Sequence, residues 1–142
     1  MPIRVDIKLL DGGKMPEKKT AGASCFDCCS NEEIEIPAGC MDSVALGFCI
    51  AVPKGYEAVI RPRSGLAFKD RVYAIEGTID SDYRGEVRAL IKNDRAEREF
   101  KINRGDRICQ MKIQRSDSFM LTPVAELDET ERGTNGFGST GV

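Results

Sequence analysis

Five stretches of the chain carry more polar groups than their lengths need. Arg61-Pro-Arg-Ser-Gly-Leu-Ala67 holds two guanidiniums, a hydroxyl and a glycine within five residues. That set suits a phosphate, which accepts from guanidinium forks and from backbone N–H groups. It equally suits an ordinary loop entering a short helix, with Ser64 as the N-cap. Gly77-Thr-Ile-Asp-Ser-Asp-Tyr-Arg-Gly85 has two carboxylates two positions apart, Asp80 and Asp82. On a strand they would share a face, and one could orient and deprotonate a water. In a turn they would diverge. Arg104-Gly-Asp-Arg-Ile-Cys-Gln110 reads as a turn into a strand, where Gln110 can hold a phosphate oxygen or a metal-bound water. In Cys25-Phe-Asp-Cys-Cys29 the carboxylate of Asp27 interrupts an apolar run, and a charge there needs a partner or a metal-linked water. Finally, Arg132-Gly-Thr-Asn-Gly-Phe-Gly-Ser-Thr-Gly141 combines an Arg, hydroxyls and a Phe with four glycines. By composition it is a disordered tail. Alternatively it is an arm that orders over a ligand, with glycines for close backbone approach, Arg and hydroxyls for phosphate, and Phe137 for stacking.

The composition limits what these groups can do. There is no His, which removes imidazole acid/base catalysis, Cys-His and Ser-His dyads, and every His-containing zinc site. No Gly-Lys-Ser/Thr occurs, so there is no Walker A loop. Lys plus Arg number 21 against 23 Asp plus Glu. That balance gives no reason to expect nucleic acid as a partner, yet it allows a local Arg cluster to take a small phosphorylated ligand. No apolar run is long enough to span a bilayer, and the N-terminus has no signal-peptide pattern. The expectation is a protein without membrane contact, cytoplasmic (or nuclear, or in host cytoplasm if viral) and not secreted. Five of the six cysteines lie between Cys25 and Cys49, with Cys109 apart. In a reducing compartment they are free thiols filling strand positions. A four-thiolate zinc site is the alternative, but only one C-x2-C pair is present.

The elements that must position these groups are strands. Val5–Leu9, Cys25–Cys29, Ile34–Ile36, Val44–Val52, Tyr56–Ile60, Val87–Ile91, Glu99–Ile102 and Ile108–Ile113 are short runs separated by Gly, Pro, Asn and Asp. A hairpin is expected about Asn93-Asp94, and the only helical candidate is a turn near Ser64–Phe68. The pattern predicts an all-β sandwich or barrel. The 142 residues fit one domain, with a body over 1–128 and a Gly-rich C-terminal arm over 129–142.

Taken in order, the five stretches resemble the five motifs of the trimeric dUTP diphosphatase (dUTPase) family, from about Ala23 to Gly141. The long matches are Arg63-Ser-Gly-Leu-Ala67, Gly77–Gly85, Gly105-Asp-Arg-Ile-Cys-Gln110 and Arg132–Gly141. The resemblance implies a jelly-roll-like β fold and a homotrimer whose active sites are shared between chains, each arm closing over a neighbouring site. It implies hydrolysis of dUTP at the α-phosphorus to dUMP and pyrophosphate with Mg²⁺, lowering dUTP and supplying dUMP for thymidylate synthesis.

It also implies roles for particular residues. Asp80 matches the water-activating carboxylate. Tyr83 matches the ring under the deoxyribose that leaves no room for a 2′-hydroxyl. Asp82 falls where the family varies. Arg63, Ser64 and Gly65 match contacts to the phosphate chain, and Gln110 a contact near the α-phosphate. Asp27 matches a carboxylate linked to Mg²⁺ through water, the ion being held mainly by the substrate's phosphates. Arg132, Ser139 and Thr140 match arm contacts to the terminal phosphate, Gly138 an arm contact to the substrate, and Phe137 the ring that stacks on uracil. The uracil edge falls to backbone groups from Ala74 to Gly77. A His-free site is consistent with this chemistry: a carboxylate is a weak base, sufficient when it holds one water in line while cations stabilise the developing charge. The chain departs from the family pattern at Cys25 and Asn135, where Gly is usual, at Ala74, where Asn is common, and at Cys109, where a small Ala is usual. Asn135 is a mild change because Asn tolerates the left-handed region. The dCTP deaminase family shares the fold but calls for a catalytic Glu in a different sequence context, and no match to it is present.

Overall fold

The computed structural model describes residues 1–138 and 141. Among the described residues, ten strands and one short helix run in the order β1 (Asp6–Leu9), β2 (Phe26–Cys29), β3 (Ile34–Ile36), β4 (Met41–Ala51), β5 (Tyr56–Arg61), α1 (Ser64–Asp70), β6 (Val72–Ala74), β7 (Gly77–Ile79), β8 (Glu86–Asn93), β9 (Phe100–Ile102) and β10 (Arg107–Arg115). They form two four-stranded sheets, β1-β4-β8-β6 and β2-β10-β5-β7, and a two-stranded ribbon, β3-β9. All pairings are antiparallel. The two larger sheets share one core, to which Phe48, Val87, Ala89 and Ile91 come from one sheet and Cys28, Ala58, Ile60 and Met111 from the other. This is a sandwich, one of the two architectures that the strand pattern allows. No pairing among the described residues closes it into a barrel. Along β8, Val87, Ala89, Ile91 and Asn93 are buried while Arg88 and Leu90 are exposed, the period-two pattern of a sheet with one wet face. None of the described helices is long and apolar enough to cross a membrane.

Two irregularities adjust the strands. In β4 the register jumps from Ala45↔Arg88 to Cys49↔Glu86 around Gly47, whose φ is +77°. A Cβ at Gly47 would come within 2.7 Å of Gly13 Cα, so only glycine fits this bulge. In β10 the register shifts between Arg107 and Cys109, and consecutive residues Ile108 and Cys109 are both buried. Beyond this bulge Gln110 faces away from the core.

Some sequence expectations are corrected. β8 and β9 do not form a hairpin about Asn93-Asp94: β8 pairs with β4 and β6, and β9 pairs with β3. The reason lies in Asn93, which is fully buried and donates from Nδ2 to Ile36 O (2.9 Å) and Arg98 O (2.8 Å). It accepts at Oδ1 from Arg95 N (3.1 Å). The side chain ties the connection to β3 instead of letting it turn back on β8. Ser64 is not an N-cap. Arg63 takes that position, without a side-chain capping bond, and Ser64 is the first helical residue. The cysteines are free, and no three His, Cys, Asp or Glu among the described residues are grouped to hold a metal. Cys28 and Cys109 fill buried strand positions as expected, whereas Cys40 is exposed.

Candidate active site

β2, β10 and β5 lie side by side, and their register sets the first cluster. Asp27 is paired with Gln110, and Gln110 with Arg61. Cross-strand partners point to the same face, and the core takes the alternate residues Cys28, Met111 and Ile60. Asp27, Gln110 and Arg61 therefore form a row on the outer face of the sheet. Asp27 is only 8% exposed. Such a carboxylate requires partners, and it has three. Gln110 Nε2 donates to Asp27 Oδ1 at 3.3 Å. Arg63 Nε is 3.8 Å from Oδ1, and Arg107 Nη1 is 3.7 Å from Oδ2. Arg63 also donates to Arg107 O (3.0 Å), joining the loop after β5 to the start of β10. A backbone bridge to Glu17 fixes Asp27 from the other side. A cavity of about 500 Å³ lined by Lys14, Lys19, Asp27, Cys29 and Arg107 opens beside this cluster.

Ser64 and Gly65 are exposed at the first turn of α1, directly after Arg63. Their N–H groups belong to the part of a helix that has no internal acceptor. Arg63, Ser64, Gly65, Gln110 and Asp27 thus belong to one patch with donors, cations and one carboxylate.

Asp80 and Tyr83 form a second patch. Asp80 does not continue β7. It starts a turn closed by Tyr83 N donating to Asp80 O at 3.1 Å, so Asp80 and Asp82 do not share a strand face. The phenol of Tyr83 donates to Glu86 O (2.9 Å), which lays the ring over Gly85. A Cβ at Gly85 would stand 2.7 Å from the ring's Cζ. Because Ile79 pairs with Ala58 and Gly77 with Ile60, Asp80 sits at the end of β5 opposite to Arg61. Four residues of strand, roughly 13 Å, separate them. Ala74 and Gly77 flank the crossover from β6 to β7. The Ala74 side chain is in the core, so only its backbone can meet a ligand. Gly77 lies next to the Arg61 end of β5.

The arm is the third patch. Arg132 Nε donates to Asn135 O (2.9 Å) and Gly133 N to Thr130 Oγ1 (3.1 Å), contacts within the arm itself. Phe137 is fully exposed with φ +51°, and Gly138 has φ +77°. Asn135 does not adopt a left-handed conformation. Ser139 and Thr140 lie outside the described residues. Within one chain, then, Asp27, Arg63, Ser64, Gly65 and Gln110 come together, while Asp80 with Tyr83, and Arg132 with Phe137, stay apart from them. Arg107 and Arg61 are the site residues that received no individual role from the sequence. In the sequence Arg61 belongs only to the general phosphate cradle of Arg61–Ala67, and the face that it shares with Arg107 becomes visible once the β2-β10-β5 register is known.

The donor set bears on the metal question. The carboxylate of Asp27 lies between two guanidiniums, so the described residues offer no cage for a divalent cation by themselves. It does fit Mg²⁺ that arrives on phosphate oxygens, since such ions are commonly held by one carboxylate plus substrate phosphates and waters.

The family model described as dUTPase matches residues 11–141. The deoxyuridine 5′-triphosphate nucleotidohydrolase of Wolinella succinogenes is 46% identical over 143 residues, covering 99% of this chain and 95% of that protein. The protein of the same name from Paramecium bursaria Chlorella virus 1 is 41% identical over 135 residues, covering 95% of each. Among solved structures, the dUTPase of Staphylococcus bacteriophage 80alpha with dUPNHPP superposes with a TM-score of 0.90 at 26% identity, over 98% of this chain and 99% of that one.

Proposed function

The chain belongs to the dUTPase family, and from that premise we propose that it hydrolyses dUTP to dUMP and pyrophosphate by attack of water at the α-phosphorus. The family match over residues 11–141 carries this reading. The three separate patches support a homotrimer: a site that needs Asp80, the Asp27 cluster and the arm together is assembled from more than one copy. The exposed Phe119, Met120, Leu121 and Leu127 ahead of the arm are consistent with a segment that leaves its own body.

In this reading the Arg63–Gly65 turn and Gln110 hold the phosphate chain. Arg132, with Gly138, Ser139 and Thr140, covers its far end. Backbone groups between Ala74 and Gly77 read the uracil edge, and Phe137 stacks on the base. The Tyr83 ring, pinned by its bond to Glu86 O, closes the space where a 2′-hydroxyl would sit. Asp80 accepts the proton of the attacking water and orients its lone pair toward the α-phosphorus. The new P–O bond forms as the bond to the bridging oxygen breaks, and pyrophosphate leaves. Asp27 would hold Mg²⁺ through a water. When bound on the phosphates, that ion supplies neutralisation of the charge that builds on the leaving group. The reaction removes dUTP and yields dUMP, a precursor for thymidylate.

The test is pyrophosphate release across dUTP, dTTP, dCTP and UTP with Mg²⁺. A strong preference for dUTP is the expected result. Equal turnover of all four, or ammonia release from dCTP, would overturn the reading.

A further inference from the structure

Arg61 is not used by the roles assigned so far. It lies opposite Gln110 across β5 and β10, on the outer face that carries Asp27. Its Nε is buried and has no hydrogen-bond partner among the described residues. Buried guanidinium N–H groups are ordinarily satisfied, so this one is placed for a partner that the chain alone does not supply. The local charges favour an anion. Arg63 and Arg107 already share the one carboxylate of the row, Asp27. Further along the same face the carboxylate of Glu57 is engaged by Gln114 Nε2 at 3.4 Å. A third guanidinium with a free donor therefore leaves the patch with excess positive charge, two residues from Arg63.

We propose that Arg61 binds the pyrophosphate portion of the substrate and of the released product, as a further phosphate-holding guanidinium beside Gln110. This rests on the reading that the site takes a nucleoside triphosphate. The planar fork of Arg matches two phosphate oxygens at once, which a Lys at this position would not do.

The experiment compares the full-length chain with Arg61→Ala and Arg61→Lys. Calorimetry measures inorganic pyrophosphate and deoxyuridine binding, and steady-state kinetics follow dUTP. Loss of a charge-assisted contact predicts a pyrophosphate Kd and a dUTP KM raised about 10- to 100-fold in R61A. Because charge builds on the leaving pyrophosphate in the transition state, kcat falls as well, and kcat/KM falls further than the change in KM alone accounts for. Deoxyuridine affinity is unchanged, and R61K recovers only part of the loss. Should R61A unfold, Arg61→Gln keeps a polar side chain with donors while removing the charge, and the same losses are expected. Unchanged pyrophosphate affinity in R61A overturns the proposal. If the variant instead sediments as smaller species with pyrophosphate affinity intact, Arg61 is an ion-pair partner between chains, which also overturns it. If the wild type binds pyrophosphate through Arg61 but does not cleave dUTP, the anion site stands and the reading of the reaction fails.

Discussion

Gln110 donates to Asp27 at 3.3 Å from the directly opposite position on the neighbouring strand. The strand register, and not a loop, thus sets the distance between the carboxamide expected near the α-phosphate and the carboxylate expected near the metal. Pairing two functional groups through a sheet makes their spacing rigid.

Asp27→Asn tests that coupling. The substitution keeps the volume but removes the charge that Arg63 and Arg107 share. Those side chains are 26% and 44% exposed, so solvent screening limits the loss of stability to about 1 kcal/mol. The functional loss is larger: we expect kcat/KM to fall about 100-fold, with half-saturation by Mg²⁺ shifted to higher concentration. Thermal melts and pyrophosphate release over a Mg²⁺ titration check it. Wild-type metal dependence in the variant would remove Asp27 from any metal role.

Tyr83 and Gly85 provide a specificity test. A methyl group at Gly85 would stand 2.7 Å from the phenol's Cζ, so Gly85→Ala must push the ring off its bond to Glu86 O. The ring is exposed and has room to move, so the cost in stability is about 1 kcal/mol or less. If the ring excludes a 2′-hydroxyl, the ratio of kcat/KM for dUTP over UTP falls by about 10-fold or more. An unchanged ratio, with the ring displaced in a crystal structure, would mean that discrimination lies elsewhere.

Some of this was legible in the chain and some was not. The alternation in Val87–Ile91 and the turn residues around it identify a half-buried strand, and the motif residues can be picked out one by one. Which strands neighbour each other is a different matter. Nothing local in Glu99–Ile102 says that it pairs with Ile34–Ile36, because that choice is made by the buried carboxamide of Asn93 reaching Ile36 O. The same holds for Arg61 and Arg107. Their meaning depends on a cross-strand register and a bulge at Ile108, which are long-range properties. The grouping of motifs into separate patches was likewise hidden, since sequence order gives no distance between Asp80 and Arg61.

The paired thiols predict a pH dependence. Cys28 and Cys109 are opposite each other and buried. The hydrogen bond with Cys109 and then burial push the Cys28 thiol well above its ordinary value of 9.0. Raising the folded value favours the neutral form in the native state. The stabilisation is complete below about pH 9, where the unfolded thiol is also protonated. It declines as pH rises further, because the unfolded chain then ionises and the native one does not. The expected slope from Cys28 alone is about 1.4 kcal/mol per pH unit. Urea melts from pH 8 to pH 10.5 check this: Cys28→Ala should be less stable at pH 8 but flatter above pH 9. In the native state the exposed Cys40 should react with iodoacetamide while Cys28 and Cys109, which are buried, do not. Rapid native labelling of Cys28 would contradict the burial argument.

Removal of residues 132–142 separates folding from turnover. The last residue of the shared core is Met111, with Ile113 packed against it, and Arg132, Gly133 and Phe137 are exposed. Truncation after Glu131 should therefore leave the circular dichroism spectrum unchanged and shift stability by no more than about 0.5 kcal/mol. Turnover should drop about 100-fold or more, because the groups that order the phosphate chain and cover the base are gone. If arms serve neighbouring sites, the truncated chain and the Asp80→Asn chain carry complementary defects. Each is nearly inactive alone. In a trimer mixed by refolding them together, Asp80 of a truncated chain can be covered by the arm of an Asp80→Asn chain, and activity returns. Mixed trimers that native mass spectrometry shows to have exchanged subunits, yet that stay inactive, would show that each arm closes on its own chain.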